Sequence, residues 1–222
     1  MAPTVSYTGY GGVAGVRMGD DIAVTGADSG GLLGFGYGVI NGFGIITTGA
    51  AGTATGVTFG CPSTPAVGAF RLGMAFTSPT SVIGTQNSAL LPVASFSGST
   101  ATLLSNNTLP LGGSQRGVGY AVVGGTPLFA TIDTGNNTVR LYNATNLASP
   151  VLLDTKNLTT GSPVTNTNGT AQVVFGTLNG QAVLYALNSN NGIQAFNVVP
   201  EPGAGLLALV AGVAACVRRR RK

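Results

Sequence analysis

Between Met1 and Val198 the apolar residues arrive in short bursts, each closed by Gly, Asn, Ser, Thr or Pro. The bursts are rich in Val, Ile, Thr, Phe and Tyr, side chains that pack well on a pleated, half-buried surface. Such bursts between turn-forming residues mark strands. No stretch before Gly203 holds the spacing of an amphipathic helix. With 36 Gly and 11 Pro, a long helix would also be costly, at about 1 kcal/mol for each interior Gly. The pattern predicts an all-β body over residues 1–198, least sharply between Gly9 and Gly60, where the composition approaches low complexity.

A repeat of about 54 residues runs through the second half, clearest over 117–160 and 170–198. Val139-Arg140-Leu141-Tyr142-Asn143 corresponds to Ile193-Gln194-Ala195-Phe196-Asn197 at a separation of 54. Leu128-Phe129-Ala130 matches Leu184-Tyr185-Ala186 at 56, and Ala121-Val122-Val123-Gly124 lies opposite Val173-Val174-Phe175-Gly176 at 52. Val151-Leu152-Leu153-Asp154 adds a fourth strand to the first copy. Weaker echoes are Gly56-Val57-Thr58-Phe59-Gly60 with Ala69-Phe70-Arg71-Leu72, and Gly15-Val16-Arg17-Met18 with Ile22-Ala23-Val24. Four-stranded units with a period near 50 residues suit propeller blades, which stack radially because none buries both faces alone. The expected fold is a propeller or propeller fragment, with a β-sandwich as the main alternative and a solenoid or loosely ordered sheet as the third.

The pattern changes at the C-terminus. Val199-Pro200-Glu201-Pro202-Gly203 is followed by uncharged residues to Val217, including Leu206, Leu207, Leu209, Val210 and Val213, and then by Arg218-Arg219-Arg220-Arg221-Lys222. As a helix, residues 203–217 would extend roughly 22 Å at about 1.5 Å per residue, short of the roughly 30 Å hydrocarbon core. The arginines make up the difference by snorkelling, stems in lipid and guanidinium groups among headgroups. Clustered cations resist translocation, so residues 218–222 are expected to stay cytoplasmic, Glu201 to face the other side, and the body to lie outside the membrane. A buried core helix is the alternative for so short a run, but five terminal cations would have no place beside one.

Pro-Glu-Pro, apolar span and basic end, in that order, resemble a PEP-CTERM sorting signal, the C-terminal tag of many bacterial envelope and biofilm-associated proteins. The resemblance covers residues 199–222 only. It implies a transmembrane helix at 203–217 and processing by an exosortase, a membrane-embedded transpeptidase-like enzyme acting near Val199, Pro200, Glu201 and Pro202. On that reading the protein is membrane-anchored before processing and afterwards at the cell surface or extracellular, with extracellular polysaccharide or like envelope proteins as partners. The tag itself is silent on what the body does.

Setting the tail aside changes the charge. Of 10 basic and 6 acidic residues, residues 218–222 hold five of the former and Glu201 is one of the latter, leaving five against five. A neutral body does not support nucleic-acid binding, which needs a basic stripe on the folded domain. Cys61 sits in the body and Cys216 in the anchor, so no disulfide framework is expected and Cys216 reads as apolar filler. Met1 to Tyr7 show neither a basic region nor an apolar run, hence no secretory signal peptide. An exported chain normally carries one, so either the start is misplaced, the chain is a truncated member of its family, or translocation relies on the tail, with truncation the favoured expectation.

Candidate chemistry is sparse. The chain has no His, which removes the usual acid/base group at neutral pH and any Ser-His-Asp or Cys-His arrangement. The body carboxylates Asp20, Asp21, Asp28, Asp133 and Asp154 read as turn residues rather than a glycosidase pair. Asp20, Asp21 and Asp28 lack the alternation of a calcium loop. Gly34, Gly36, Gly38, Gly42 and Gly44 suggest a phosphate cradle, but form no complete G-x-G-x-x-G and precede no Lys. Asn-x-Ser/Thr triplets at Asn106, Asn136, Asn143, Asn157 and Asn168 are a weak glycosylation signal in so Asn- and Thr-rich a chain. Tyr120, Tyr142, Tyr185 and Phe196 fall on strands, where core packing is expected. The reading is a non-enzymatic protein without cofactor or metal. A propeller-type hydrolase or lyase and a ligand-binding propeller stand as alternatives, the enzyme favoured if Asp133 meets a second acid or a Tyr in a central funnel.

Overall fold

The computed structural model describes residues 19, 21–26, 30–38, 40–49, 54–61, 68–86, 88–158, 171–189 and 192–199. They form fifteen strands in four antiparallel sheets. The first sheet holds β1 (Ala23–Thr25), β2 (Leu32–Gly36), β3 (Gly42–Thr48) and β4 (Ala54–Gly60). The second holds β5 (Gly73–Ser78), β6 (Ser81–Thr85), β7 (Leu90–Ser97) and β8 (Thr100–Thr108). The third holds β9 (Gln115–Val123), β10 (Thr126–Asp133), β11 (Thr138–Asn143) and β12 (Val151–Asn157), and the fourth β13 (Ala171–Leu178), β14 (Gln181–Asn188) and β15 (Gly192–Asn197). Every sheet is a meander, each strand pairing with its neighbour in sequence.

Local chemistry explains the hairpins. β9 turns into β10 through Gly124-Gly125, and β13 into β14 through Asn179-Gly180, with both central residues at positive φ in each case. That is the two-residue turn whose twist matches paired strands, and Gly or Asn is what it demands. The two turns occupy equivalent places in the repeat. Register corrects two separations, because counted from those turns the pair Ala121 and Leu128 corresponds to Gly176 and Val183. With the turns 55 residues apart, Leu128 is equivalent to Val183 and Ala121 to Gly176, so the separations of 56 and 52 both become 55. A second correction concerns Ala69-Phe70-Arg71-Leu72, which forms a turn and bend before β5. Arg71 N donates to Gly68 O at 2.9 Å, so the chain folds on itself instead of extending.

The sheets stack as blades. β1 packs on β5, β5 on β9 and β9 on β13, so each blade's first strand is innermost. The core lies between blades in three clusters. Phe43, Phe59, Phe70, Met74 and Phe96 join blades one and two. Ile83, Leu91, Val118, Phe129 and Tyr142 join two and three. Leu128, Ile132, Val139, Val173 and Leu184 join three and four. Among the described residues no such cluster joins blade four to blade one. The architecture is all-β, a propeller-like arrangement of four blades, and the sandwich alternative fails because the sheets fan around their first strands. The helix expected at 203–217 lies outside the described residues, among which no helix is long and apolar enough to cross a membrane.

Glycine sets how closely blades three and four approach. A Cβ on Gly119 would sit 2.5 Å from the carbonyl oxygen of Val173 on β13. Gly117, at φ +54, is the extra residue where the β9–β10 register shifts. Its N–H turns out of the blade to Leu72 O at 3.0 Å, tying blade three to blade two. Glycine at bulges and backbone contacts is what such geometry requires.

Candidate functional site

The inner strands of all four blades surround a central cleft of about 330 Å³. Its walls are apolar, with Ile22 and Val24 from blade one, Met74 and Phe76 from blade two, and Val174 and Phe175 from blade four. Ile22 and Val24 are 61% and 69% exposed, since strand alternation turns Ala23 into the core and its neighbours into the cleft. Polar groups stand among these walls. Asp21 Oδ1 accepts from Ile22 N at 2.9 Å and from Gln172 Nε2 at 3.5 Å, and Oδ2 accepts from Met74 N at 3.4 Å. Burial pushes the Asp21 carboxyl above the usual carboxylate range, against the opposing pull of those three donors. Tyr120, also lining the cleft, has its phenol pushed up by burial. Among the described residues the arrangement offers one carboxylate, one amide and one phenol, suited to accepting hydrogen bonds from a guest, with no facing pair of acids of the kind glycoside hydrolysis uses.

Asp133 does not line this cleft. It is fully buried in blade three, where Arg140 Nη2 donates to its Oδ2 at 2.7 Å. The same carboxylate accepts from Gly135 N at 3.0 Å, Asn136 N at 3.1 Å and Asn136 Nδ2 at 2.8 Å, closing the β10–β11 turn. Arg140 Nη1 donates to Gly112 O, Gln115 Nε2 donates to that oxygen at 2.9 Å, and Thr131 donates to Gln115 Oε1. Tyr142 stacks on Phe129 with centroids 4.6 Å apart and its hydroxyl reaches Pro110 O at 3.4 Å. Burial raises its pKa first of all, with Arg140 opposing. This network braces the blade.

The remaining sequence candidates are scattered. Asp154 lies within β12, not in a turn as the sequence suggested, and pairs with Lys156 at 3.0 Å on an exposed edge. Asp21 likewise sits just before β1 in the cleft wall rather than in a turn. Asp20 and Asp28 lie outside the described residues, among which no group of His, Cys, Asp or Glu is placed to hold a metal. The glycines of the supposed cradle serve packing. A Cβ on Gly34 would meet Met74 at 2.7 Å, and one on Gly36 the Phe70 carbonyl oxygen at 2.0 Å. Asn136 and Asn143 spend their side chains on turns, the latter accepting from Thr145 N at 2.8 Å. Cys61 is buried, and burial pushes its thiol up. Phe196 packs against the cluster between blades three and four.

A second cleft, about 650 Å³, opens between blades three and four along Val122, Phe175, Gln181, Val198 and Val199. Val198 is held there, 7% exposed, with its N–H on Ala182 O at 2.9 Å. Val199 is 78% exposed. Pro200, Glu201, Pro202, the anchor and the basic end lie outside the described residues. Sequence reasoning passed over Gln172 and the buried role of Arg140. The available signals were strand alternation for the first and the seven-residue spacing from Asp133 across a hairpin for the second.

No protein-family model matches the chain, and no curated protein matches it. Among solved structures it is similar to the N-terminal domain of Nup159, at 11% identity and a TM-score of 0.38, over 78% of this chain and 54% of that one. It is also similar to the fucose-specific lectin from Aleuria aurantia, at 10% identity and a TM-score of 0.37, over 83% of this chain and 79% of the lectin. The chain thus spans about half the length of the first of these.

Proposed function

We propose that this is an exported cell-envelope or extracellular-matrix protein, sorted and processed through its C-terminal tail and acting through its β surface in adhesion or assembly. The observation that carries the reading is the order of Pro200-Glu201-Pro202, apolar span and Arg218 to Lys222, which suits a membrane stop followed by release. An exit at exposed Val199, one residue beyond clamped Val198, favours it, because a processing enzyme needs an extended, reachable segment. The partners are an exosortase-type enzyme and the lipid bilayer, then extracellular polysaccharide or like envelope proteins.

A non-enzymatic role is favoured by the disposition of the acids. Asp133 is engaged by Arg140, Asp154 by Lys156, and Asp21 faces the cleft without a second described carboxylate lining it. The cleft supports a second reading, a ligand-binding propeller, in which Asp21, Gln172 and Tyr120 would receive the guest.

Expression of the full chain beside a form ending at Val198, in a host that has the processing enzyme, tests the first reading. Fractionation is expected to find the full chain in membranes and then outside the cell, with a mature mass ending near Pro200. Identical partitioning and mass for both forms would discard it. Saturable, Asp21-dependent binding of one small ligand would favour the second.

A further inference from the structure

The few charges of the body are gathered toward one end of the blades. From Gly73 to Ser114 and from Asn157 to Val199 the sequence holds none, so blades two and four are uncharged. The innermost strands run the same way, since a Cβ on Gly117 would meet Ala171 O and one on Gly119 Val173 O, while Asp21 lies level with Met74. Blades two to four therefore share a start pole, where the first strand begins, and a hairpin pole, where it turns into the second. Asp21 and Arg71 precede β1 and β5, Arg116 stands near the start of β9, and the ladder sets Asp133 opposite Gln115 and Lys156 opposite Val139. Arg140 and Asp154 come no farther along than the level of Gly119. Beyond that level blades three and four carry no charge among the described residues. They carry exposed apolar tips instead. Val122 and Val151 are each 60% exposed, Leu178 is 52% and Val199 78%. Val122 and Leu178 adjoin the turns at Gly124-Gly125 and Asn179-Gly180, Val151 opposes Asn143 at the end of β11, and Val199 follows β15. Leu111 and Ile193 are also exposed, but at the start pole, among the charges.

We infer, resting on the tail-anchored reading, that the hairpin pole of blades three and four is the surface that the body lays on a lipid bilayer, with Val122, Val151, Leu178 and Val199 entering the headgroup boundary. The reach of the chain carries this. Pro200-Glu201-Pro202 alone separate Val199 from Gly203, where the apolar span starts, and the stretch from Val199 to Gly203 extends to at most about 14 Å. A span in the bilayer therefore keeps the exit of β15 within that distance of the headgroups, and β15 ends at the hairpin pole. The chemistry of that pole agrees with its position. Apolar tips gain from leaving water, and a rim of Gly, Thr, Asn and Gln brings no ion that would have to be desolvated. Weak contact suffices, because the anchor already holds the surface at high effective concentration.

The chain has no Trp, so an introduced one reports its own surroundings. Full-length Val122→Trp, Leu178→Trp and Ile193→Trp variants are reconstituted with zwitterionic phosphatidylcholine vesicles, with or without bromine on the acyl chains, and floated on a density gradient. Neutral lipid is the fitting probe for a face without charge. Flotation reads the tail, and quenching reads the face. In the floated protein, brominated lipid is expected to quench V122W and L178W at least about twofold, as for groups lying about 5–10 Å into the headgroup and acyl boundary, and to leave I193W nearly unchanged. Tryptophan favours an interface wherever it is placed, so the contrast between poles is the decisive reading. Flotation without quenching of V122W and L178W, or with equal quenching of all three, overturns the inference and leaves the tail-anchored reading standing. A blue shift of V122W that needs no lipid and fades on dilution makes a second copy the occupant, and overturns it as well. Protein that does not float removes the tail-anchored reading, and this inference with it.

Discussion

Asp133 and Arg140 carry opposite charges into a part of blade three that water does not reach, at 0% and 5% side-chain exposure. Removing one partner of such a pair strands the other, a loss of about 3–5 kcal/mol. Asp133→Ala is therefore expected to lower the urea unfolding midpoint sharply, and Arg140→Ala to do the same, while Asp154→Ala, taken from an exposed pair, leaves the midpoint nearly unchanged. Asp21 behaves differently because its pKa is raised in the folded protein, chiefly by burial. A folded state that holds the proton more tightly gains stability that is fully present below the ordinary Asp value of about 3.9. That contribution is lost as pH rises through the folded value. Urea titrations across this window are expected to show stability falling with rising pH in the natural chain relative to Asp21→Asn, and parallel profiles would contradict the assignment. Neither role was legible in the sequence. A carboxylate near a Gly-rich turn looks the same whether it caps the turn, braces a core or lines a cleft, and only the neighbours brought in by folding decide.

Strands were far more legible than side-chain roles. β9 to β12 and β13 to β15 fall on the repeated bursts because alternation and Asn-Gly or Gly-Gly turns are local chemistry. Ala69 to Leu72 misled for an equally local reason, since an apolar burst of that length does not distinguish a strand from a buried turn. Phe70 is indeed buried, yet by packing under blade one rather than by pairing. Close contacts between strands of different blades left no mark beyond the glycines themselves. Gly119→Val forces a side chain against the Val173 carbonyl, so blades three and four must part, at about 1–3 kcal/mol for overpacking. Thermal unfolding is expected to shift down accordingly, and hydrogen exchange to speed up along β13. An unchanged melting temperature would mean that the two strands are not in contact.

At the scale of the whole molecule, low charge and radial stacking act together. The body holds five basic and five acidic residues once residues 200–222 are set aside, so it depends on Thr, Ser, Asn and backbone polarity to stay hydrated. A form ending at Val198 is expected to focus near neutrality, against about 9.4 for the full sequence, and to be least soluble there. Isoelectric focusing checks this directly. A persistently basic focusing point would show that the body's acids do not ionise as counted. Cores that lie between blades rather than inside one also couple neighbours, so damage to blade three is expected to weaken its contacts with both two and four.

Alternation, turn residues and the internal repeat were enough to determine an all-β chain with blade-like units, because strand and hairpin formation depend on neighbours in sequence. The apolar span and its cations set the expectation for the tail by the same local logic. Tertiary structure alone decided that the blades number four among the described residues, that Asp133 is locked to Arg140, and that Asp21 opens onto a central cleft. Those outcomes depend on which surfaces meet across long stretches of chain, and burial, desolvation and partner distance have no value until they do.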